Sequence, residues 1–379
     1  MWSYWEQSTF IGTPDLLVIG SGIVGLSAAI HFKNQTPQSD VLVIEAGHLP
    51  SGASTKNAGF ACFGSPSELL MDLKSNSPEE VFGLVRKRWD GLELLRNWIG
   101  EDHLNYEAPG SFELFADQEE FESCLDQLDF LNQGCESQLG FKPYLKSDDI
   151  ISESGFKGFS GAIRIEGEGQ IHTGQMMKSL ILLAQEIGIR LINGLSIKEV
   201  NSEESGIQVK TQEGTFSSKK CLIATNGFAK QLLPELDAQP ARAQVFITKP
   251  IKNLKFKGTY HFDEGYYYFR NVEDRVLFGG GRNLDFEKET TDEIDLNNQI
   301  QKHLEEILRE RILPDTSFQI DQQWSGIMGI GTDKDPIVKK LDDNLFCAVK
   351  LGGMGVAIGT MVGREAAELI HEGNSPSAK

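Results

Sequence analysis

The sequence is short of basic residues and has no long apolar segment. Its 36 Lys and Arg residues are outnumbered by 55 Asp and Glu residues, which gives a formal net charge of −19. This charge argues against nucleic acid as a partner, because phosphate backbones are held by Lys and Arg. The longest apolar runs have the length of a strand or are broken by charged residues, so the sequence predicts no transmembrane segment.

Cysteine is also scarce, and a leader-like N-terminus is missing. The five cysteines are scattered, with no C-x-x-C pair and no Cys/His cluster of zinc spacing. We therefore expect free thiols in a reducing compartment and no metal site. The stretch from Met1 to Glu6 has neither the basic region nor the apolar core of a signal peptide, which predicts a cytoplasmic protein. A length of 379 residues allows two or three domains.

What is present lies near the start of the chain. An apolar strand, residues 15–19, runs into the glycine triplet of Gly20, Gly22 and Gly25, an Ala-rich helix follows, and the next strand ends on Glu45. This order is typical of a dinucleotide-binding βαβ unit: the first glycine permits a tight turn, the second lets the backbone approach a pyrophosphate, and the third lets helix and strand pack closely. Glu45 can accept hydrogen bonds from an adenosine ribose and would repel a 2′-phosphate, which favours FAD or NAD over NADP.

Strand-to-glycine-turn units recur in the middle and at the end of the chain. Further patterns predict helices over 79–99, 118–139, 173–187 (with Thr173 as a possible N-cap), 294–312 and 360–371, and strands over 160–165, 219–223, 243–248, 260–270, 275–281 and 344–349. Parallel-sheet units in three separated places predict an α/β protein with one discontinuous domain and an inserted, mostly antiparallel domain. We place the first over 12–80, 150–232 and 320–375, and the second, a substrate domain, over 81–149 and 233–319.

Six motifs in this order carry a resemblance that covers nearly the whole chain. They are Val18 to Gly25, the turn Ser51 to Gly59, Ala224 to Gly227, Leu277 to Gly281, Trp324 to Gly326, and Gly352 to Gly355. Together they resemble the FAD-dependent amine and amino-acid oxidoreductases, the D-amino-acid oxidase, glycine oxidase and sarcosine oxidase type, with the 51–59 turn most similar to γ-glutamylputrescine oxidase. The resemblance implies a Rossmann-like FAD-binding domain of the glutathione-reductase type with an inserted antiparallel-sheet α+β substrate domain.

The resemblance also implies which residues hold the FAD. They are Gly20, Gly22, Ile23, Val24, Gly25, Glu45, Ala46, Ser51, Ala53, Ser54, Asn57, Ala58, Gly59, Thr225, Asn226, Gly227, Gly326, Gly353, Met354, Gly355 and Val356. The turn at 352–355 opens a helix whose N-terminus would stabilise negative charge on a reduced flavin. In sarcosine oxidases a Cys bonds covalently to the flavin, but Ile327 stands at that place here, so we expect non-covalent FAD.

Four residues are candidates for catalysis: Lys56, Tyr268, Arg270 and His172. The lysine that activates oxygen in sarcosine oxidases is replaced by Leu277, which leaves Lys56 in the 51–59 turn and Lys249 as candidates, or else as solvated surface lysines. The electron acceptor is therefore open between O2 and a quinone or another carrier. His172 lies where the family chain returns to the flavin domain, and either a hydrogen-bonded structural role or a catalytic one fits it.

The substrate signal is weaker than the cofactor signal. Strand alternation places Tyr266, Tyr268 and Arg270 on one face, where they could form a cage for an amine and bind a distal carboxylate, or could form a core face capped by an ion pair. Arg282 is a second candidate. The family's usual substrate arginine after the Trp-Ser-Gly motif is missing from 327–331, which puts a simple α-amino acid in doubt.

The predicted reaction is two-electron oxidation of a C–N bond in a small-molecule amine or amino acid. The resemblance implies hydride transfer from the α-carbon to flavin N5 and hydrolysis of the resulting imine. Two alternatives stay open: another flavin reaction, such as a hydroxylase or an RNA-modifying oxidase, and a flavin-binding protein without turnover.

Overall fold

The computed structural model describes residues 1–372, which form two large sheets with helices around them. The strands are β1 (Leu16–Ile19), β2 (Val41–Glu45), β3 (Phe60–Ala61), β4 (Ser111–Phe115), β5 (Tyr144–Lys146), β6 (Gly161–Ile165), β7 (Gly169–Gln170), β8 (Arg190–Asn193), β9 (Ile197–Glu203), β10 (Gly206–Thr211), β11 (Thr215–Ser218), β12 (Lys220–Ile223), β13 (Gln239–Thr248), β14 (Thr259–Phe262), β15 (Tyr267–Val272), β16 (Arg275–Gly280), β17 (Ile320–Ile330), β18 (Ile337–Asp342) and β19 (Leu345–Val349).

The helices pack around these two sheets. They are α1 (Tyr4–Glu6), α2 (Ile23–Gln35), α3 (Ala53–Lys56), α4 (Pro66–Asp72), α5 (Pro78–Ile99), α6 (Glu101–Leu104), α7 (Gln118–Asp126), α8 (Leu128–Leu139), α9 (Asp149–Ser154), α10 (Thr173–Glu186), α11 (Asn298–Ile307) and α12 (Gly355–Glu372). Among residues 1–372, no helix combines the length and the apolar character that crossing a membrane requires.

The first sheet has six strands in the order β18-β19-β12-β1-β2-β8. The five strands from β19 to β8 run parallel, and β18 is an antiparallel edge. Strands β1, β12 and β19 are buried along their whole length, as expected for parallel strands covered on both faces. Helices α2, α10 and α12 cover one face, and the small sheet β9–β11 covers the other. The predicted Rossmann-like sheet is confirmed.

The second sheet has eight strands in the order β17-β13-β16-β15-β14-β4-β6-β5, and its neighbours are antiparallel except for β14 and β4. One face carries a row of aromatic rings in register across five strands, and this row packs against α11. The rings are Phe112, Tyr260, Phe269, Phe278 and Phe246. The opposite face carries a mixed polar and apolar row. The predicted separate antiparallel sheet, and with it the fold class, is confirmed.

The domain boundaries that we predicted stay a prediction. Strands β6 and β17, which those boundaries assign to the FAD domain, pair within the eight-stranded sheet. Helix α5, assigned to the substrate domain, packs on α12, where the Thr360 hydroxyl donates a hydrogen bond to the Gly91 carbonyl at 2.6 Å. The end of the predicted FAD domain, residues 373–375, lies outside the described residues.

Several element ends differ from their predictions for local reasons. The N-cap of α10 is His172 rather than Thr173, because its Nδ1 accepts a hydrogen bond from the Gln175 N–H at 3.3 Å. The predicted helix over 118–139 is two helices that meet at Gln127. The predicted strand over 260–270 is a hairpin with a turn at residues 263–266. Helix α12 begins at Gly355, earlier than predicted.

Candidate active site

A large cavity of about 790 Å³ lies between the carboxyl ends of the parallel strands and the mixed face of the eight-stranded sheet. The carboxyl ends of open parallel sheets are where such folds bind ligands. The cavity extends from the glycine triplet, past α3 and the start of α12, to β14 and β15. A single continuous space therefore joins the predicted cofactor region to the predicted substrate region.

Steric contacts and backbone conformation explain why glycine is needed in the triplet. Gly20 has a φ of +104°, and a Cβ there would lie 2.8 Å from the Ala224 carbonyl oxygen. A Cβ on Gly25 would lie only 1.9 Å from the Gly20 oxygen, so no side chain fits there. Gly22 is the N-cap of α2, so the N–H groups of the first turn face the cavity.

Glu45 is fixed at the end of β2. One of its carboxylate oxygens accepts hydrogen bonds from the N–H and the hydroxyl of Ser21 at 3.1 and 3.0 Å, and the other accepts from the Gly47 N–H at 3.0 Å. The carboxylate lines the cavity beside the start of α2. Its lone pairs toward the cavity stay free for ribose hydroxyls.

The turn at 51–59 is held against the glycine triplet by side-chain hydrogen bonds. The Ser54 hydroxyl accepts from the Ile23 N–H at 3.0 Å, which ties α3 to the start of α2. The Asn57 amide donates to the carbonyls of Ala53 and Ser54 at 3.1 and 2.9 Å and accepts from the Gly59 N–H at 2.8 Å. Asn57 thus shapes the turn that we expected to follow the pyrophosphate.

Asn226 joins the middle and terminal turns. Its side-chain oxygen accepts from the N–H groups of Lys350 and Leu351 at 3.1 and 3.4 Å. The two glycines that follow, Gly352 and Gly353, have φ values of +55° and +86°, which favour glycine. The chain can then enter α12 with its N-terminus at the cavity. Sequence reasoning selected Asn226 as a cofactor residue, and the structure shows that it also positions the last turn.

The predicted cofactor residues fit FAD. All of them line the cavity except Gly25 and Gly227, each of which presses against backbone behind the lining. The Thr225 hydroxyl is buried at the cavity and has no hydrogen-bond partner within residues 1–372. Two helix N-termini, of α2 and α12, face the same space, where N–H groups and the helix dipole favour phosphate or developing negative charge. The individual FAD contacts stay predictions.

Of the four catalytic candidates, Lys56 and Tyr268 line the cavity. Lys56 ends α3, and its carbonyl accepts a hydrogen bond from the Trp324 indole at 3.0 Å. A Cβ on Gly326 would lie 3.0 Å from the Lys56 Cβ, so this glycine makes room for the lysine. The ring of Tyr268 packs edge-to-face on Phe60 at 5.8 Å, and burial raises the pKa of Tyr268 to about 12.

Arg270 and His172 lie elsewhere. The lining of the cavity, in the described part of the chain, includes neither of them. The Arg270 guanidinium is buried under Gly59 and donates to the Ile171 carbonyl at 3.0 Å, and burial lowers the pKa of Arg270 to about 10. His172 is exposed and caps α10. The substrate and catalytic roles suggested for these two residues stay predictions.

Arg282, the second arginine candidate, does line the cavity. Its guanidinium lies over the Phe286 ring, 4.8 Å from the centroid. None of the hydrogen bonds and ion pairs of residues 1–372 involves this guanidinium, and its buried Nε has no partner. It is therefore a cation at the cavity whose charge is not satisfied by a carboxylate, unlike Arg88, which pairs with Glu68 at 3.0 Å.

Sequence reasoning missed the polar end of the cavity. The mixed row of the eight-stranded sheet runs in register from Glu113 through His261, Tyr268 and Gly279 to Val245. His261 and Tyr268 line the cavity, and Glu113 lies behind His261 and Ser65. The available signal was a titratable residue between two large apolar or aromatic neighbours, Glu113 between Phe112 and Leu114 and His261 between Tyr260 and Phe262, since such residues are rarely buried without a reason.

The sequence matches, over residues 15–369, the family described as FAD dependent oxidoreductase (DAO). Among curated proteins it is similar to a probable oxidoreductase OrdL of Rhizobium meliloti, 25% identical over 94% of this chain and 82% of that protein. It is also similar to the gamma-glutamylputrescine oxidoreductase of Escherichia coli, 24% identical over 94% of this chain and 84% of that protein. Among solved structures, glycine oxidase from Geobacillus kaustophilus has the same fold, with a TM-score of 0.77 and 19% identity over 95% of both chains.

Proposed function

Because the chain belongs to the family of FAD dependent oxidoreductases named DAO, we propose that it oxidises a C–N bond of a small amine or amino acid. The observation that carries the proposal is the continuous cavity, which is lined at one end by the dinucleotide-binding turn and at the other by Tyr268, His261 and Arg282. The names of its relatives refer to γ-glutamylputrescine and glycine, both of which contain C–N bonds.

FAD is the cofactor of this family, and when bound it would supply the acceptor for the two electrons of the reaction. We propose that the cavity holds it without a covalent bond. Cys62 is the cysteine that lines the cavity in the described part of the chain, and burial raises the pKa of its thiol far above the ordinary value, so it stays a poor nucleophile. Acid precipitation should release all of the yellow colour, and colour in the pellet would contradict a non-covalent site.

The chain's own part in the reaction is to orient the substrate and exclude water. Tyr268 and Phe60 offer an edge-to-face pair of rings against which an aliphatic carbon can pack. Arg282 supplies a positive charge for an anionic group elsewhere on the substrate. A substrate anchored at both points would hold its reacting carbon in one orientation, which is the main requirement for transfer of a C–H electron pair.

The balance of the reaction is simple. The substrate nitrogen gives up a proton, and the carbon next to it gives up hydrogen together with the electron pair of its C–H bond. A C=N bond forms, and water then cleaves it to a carbonyl compound and an amine or ammonia. The two electrons pass on to O2 or to a quinone or other carrier, and Lys56 is the cation that we propose for a role with O2.

An anaerobic screen of the FAD-loaded protein tests the proposal. The compounds are n-butylamine, putrescine, glycine, sarcosine, D-alanine and L-proline. For each of them, the visible flavin absorbance is recorded over time, and its loss shows that the flavin is reduced. At least one of them should bleach the flavin. If none does and NADPH bleaches it instead, the protein is a flavin enzyme of another reaction type.

A further inference from the structure

On the basis of the proposed function, we infer that His261 and Glu113 act as a pair that takes the proton an ammonium substrate must lose before its C–N bond is oxidised. His261 would touch the substrate nitrogen, and Glu113 would act through His261 as a positioning residue. The pair was not among the catalytic candidates chosen from the sequence.

The reaction creates a need for such a group. An aliphatic amine has a pKa of about 10, so that at neutral pH it reaches the protein as an ammonium ion. Its nitrogen has no free electron pair in that form and cannot assist loss of the neighbouring C–H electron pair. A proton acceptor within hydrogen-bond reach of the nitrogen removes this barrier, and general bases of this kind typically contribute 10²–10⁴-fold.

The sheet places His261 where such an acceptor is needed. On β14 it pairs directly with Tyr268 of β15 and with Glu113 of β4, so all three side chains stand on the same face. His261 and Tyr268 both line the cavity. The ring of Tyr268 leans away over Gly279, where a Cβ would lie 2.7 Å from its Cε2. A small part of the His261 side chain stays exposed at the cavity.

The two ring nitrogens of His261 have different surroundings. Nε2 is enclosed, has no hydrogen-bond partner within residues 1–372, and lies 3.7 Å from a Glu113 carboxyl oxygen. None of the hydrogen bonds of the described residues involves Nδ1. The His261 side chain is 12% exposed and that of Glu113 only 2%. One nitrogen therefore faces a buried carboxyl group, and the other makes no hydrogen bond within the described residues, so we assign Nδ1 the contact with the substrate.

Glu113 is held in place by two serines at the start of α4, which bind both of its oxygens, including the one that faces His261. One oxygen accepts hydrogen bonds from the hydroxyls of Ser65, at 3.3 Å, and Ser67, and the other accepts from the Ser67 N–H at 3.1 Å. Burial raises the pKa of Glu113 to about 7 and lowers the pKa of His261 to about 4. At neutral pH the imidazole is neutral and the Glu113 carboxyl next to it is partly ionised, and its carboxylate form can accept a proton through the imidazole.

The charged groups of the neighbouring helix α4 and the hydroxyl of Tyr268 do not prevent the pair from taking a proton. Glu68 of α4 acts on both members, but it is itself neutralised by Arg88 and Lys334 at 3.0 and 3.3 Å. Tyr268, with its pKa raised to about 12, stays protonated and does not compete.

Two further carboxyl groups and a thiol complete the surroundings. On the far side of Glu113, α7 contributes Glu120 and Cys124, both of which have a raised pKa and add no positive charge. Glu168, at the same end of the cavity, has its carboxyl bound by the Ser111 hydroxyl and the N–H groups of Phe63 and Gly64. These three hydrogen bonds fix the Glu168 carboxyl at that end of the cavity.

The proton transfer balances without any redox change. The N–H bond of the ammonium breaks, its electron pair stays on the substrate nitrogen, and the proton bonds to Nδ1 of His261. Because the pKa of Glu113 is higher than that of His261, the Nε2 proton of the imidazolium then passes to the Glu113 carboxylate. Oxidation of the C–H bond follows as a separate step, and the proton later leaves to solvent.

The test is the pH dependence of anaerobic flavin reduction. It uses whichever of the six compounds named above reduces the flavin of the wild type fastest. His261→Asn should reduce the flavin about 100-fold more slowly at pH 7. Its rate should recover as the pH approaches the pKa of the amine itself, since the free amine then binds directly. Glu113→Gln should shift the profile in the same direction by less. His31→Asn is the matched control, a histidine whose pKa burial also lowers to about 4 and whose Nε2 also lacks a partner, but outside the cavity lining.

The outcomes separate cleanly, provided that each variant retains FAD by its absorbance. A His261→Asn profile that matches the wild type, or a loss of equal size at every pH, overturns the proton-accepting role. Infrared titration of holoprotein that carries Glu168→Gln, which removes the other carboxyl with a pKa of about 7, gives an independent readout. We expect a carboxylic C=O band that disappears near pH 7 and is missing once Glu113→Gln is added, and its absence overturns the part assigned to Glu113. If no compound reduces the wild type, the proposed function fails and this inference fails with it.

Discussion

At the scale of single residues, two arginines that look similar in the sequence have different surroundings. Arg270 is buried under Gly59 and donates to a backbone carbonyl. Arg282 lines the cavity, and its guanidinium has no hydrogen-bond or ion-pair partner within the described residues. Arg282 is half-buried, and a partly desolvated cation without a counter-charge is costly unless a ligand supplies one. We therefore expect substrate discrimination to depend on Arg282.

Arg282→Met should raise KM for carboxylate-bearing compounds such as glycine roughly 10- to 100-fold, because a charged hydrogen bond is lost that contributes about 1.5–3 kcal/mol. The KM for n-butylamine, which has no carboxylate, should stay within twofold. Arg86→Met is the control, since Arg86 forms a surface ion pair with Asp90. An equal rise for both classes of compound would show that Arg282 does not bind the carboxylate.

Lys56 provides a second prediction at this scale. A lysine at the cavity can stabilise the negative charge that develops when O2 is reduced. Lys56→Met should slow reoxidation of the reduced protein by O2 at least tenfold and leave anaerobic reduction by the amine nearly unchanged. Stopped-flow absorbance measures both half-reactions separately. Unchanged reoxidation would mean that Lys56 has no role with O2 and would favour another electron acceptor.

The raised pKa of Glu168 predicts that the stability of the folded protein depends on pH. Burial raises this pKa from the ordinary 4.5 to about 7. A raised pKa in the folded state stabilises the protein below pH 4.5, and this contribution is lost as the pH rises toward 7. Glu168→Gln should thus gain stability relative to the wild type by roughly 1 kcal/mol per pH unit across that window. Thermal unfolding in excess FAD measures it, with the exposed Glu204→Gln as the control. Parallel curves for Glu168→Gln and the wild type would contradict the raised pKa.

At the scale of elements, the contact between α5 and α12 connects the cofactor turn to the rest of the fold. A Cβ on Gly91 of α5 would lie 2.0 Å from the Ala357 carbonyl oxygen in the first turns of α12. Eight residues earlier on the same helix, a Cβ on Gly83 would meet nothing within 4 Å. The N-terminus of α12 lines the cavity, so a displacement of α12 at Gly91 should reach the FAD site.

This pair of glycines gives a matched prediction. Gly83→Ala should stabilise the protein by about 0.5–1 kcal/mol, because alanine favours a helix over glycine. Gly91→Ala should lower both the thermal midpoint and the FAD content of the purified protein, since the helices must move apart. Differential scanning fluorimetry and flavin absorbance give the two values. Similar behaviour of the two variants would contradict the close packing of α5 on α12.

The elements themselves were predictable to different degrees. Strands β1, β12 and β19 could be predicted because each is an apolar run that ends at a glycine turn. The predicted N-cap of α10, Thr173, was wrong because the ring of His172 accepts the capping hydrogen bond. The usual preference for Ser and Thr at this position does not anticipate a histidine. The early start of α12 depends on left-handed glycines and on Asn226, which is distant in the chain.

At the scale of the whole molecule, the cofactor half of the cavity could be predicted and the substrate half could not. The FAD residues cluster in short motifs whose local order has a known meaning. The opposite wall is made by register across β4, β14, β15, β16 and β13. No local sequence pattern predicts the order of those strands. The proximity of Glu113 and His261 could therefore not be predicted from the sequence. Arg270 was preferred to Arg282 for the same reason.

The measurement that tests the account most directly is product analysis of a single anaerobic turnover. The FAD-loaded protein is mixed with one equivalent of whichever compound of the panel bleaches it, and the carbonyl product, the released amine or ammonia and the reduced flavin are quantified together. Oxidation of a C–N bond predicts one carbonyl group and one amine or ammonia for each flavin reduced, on separate molecules for the acyclic compounds and on one molecule, together with its cyclic imine, for L-proline. Flavin reduction without these products, or reduction by NADPH alone, would contradict it.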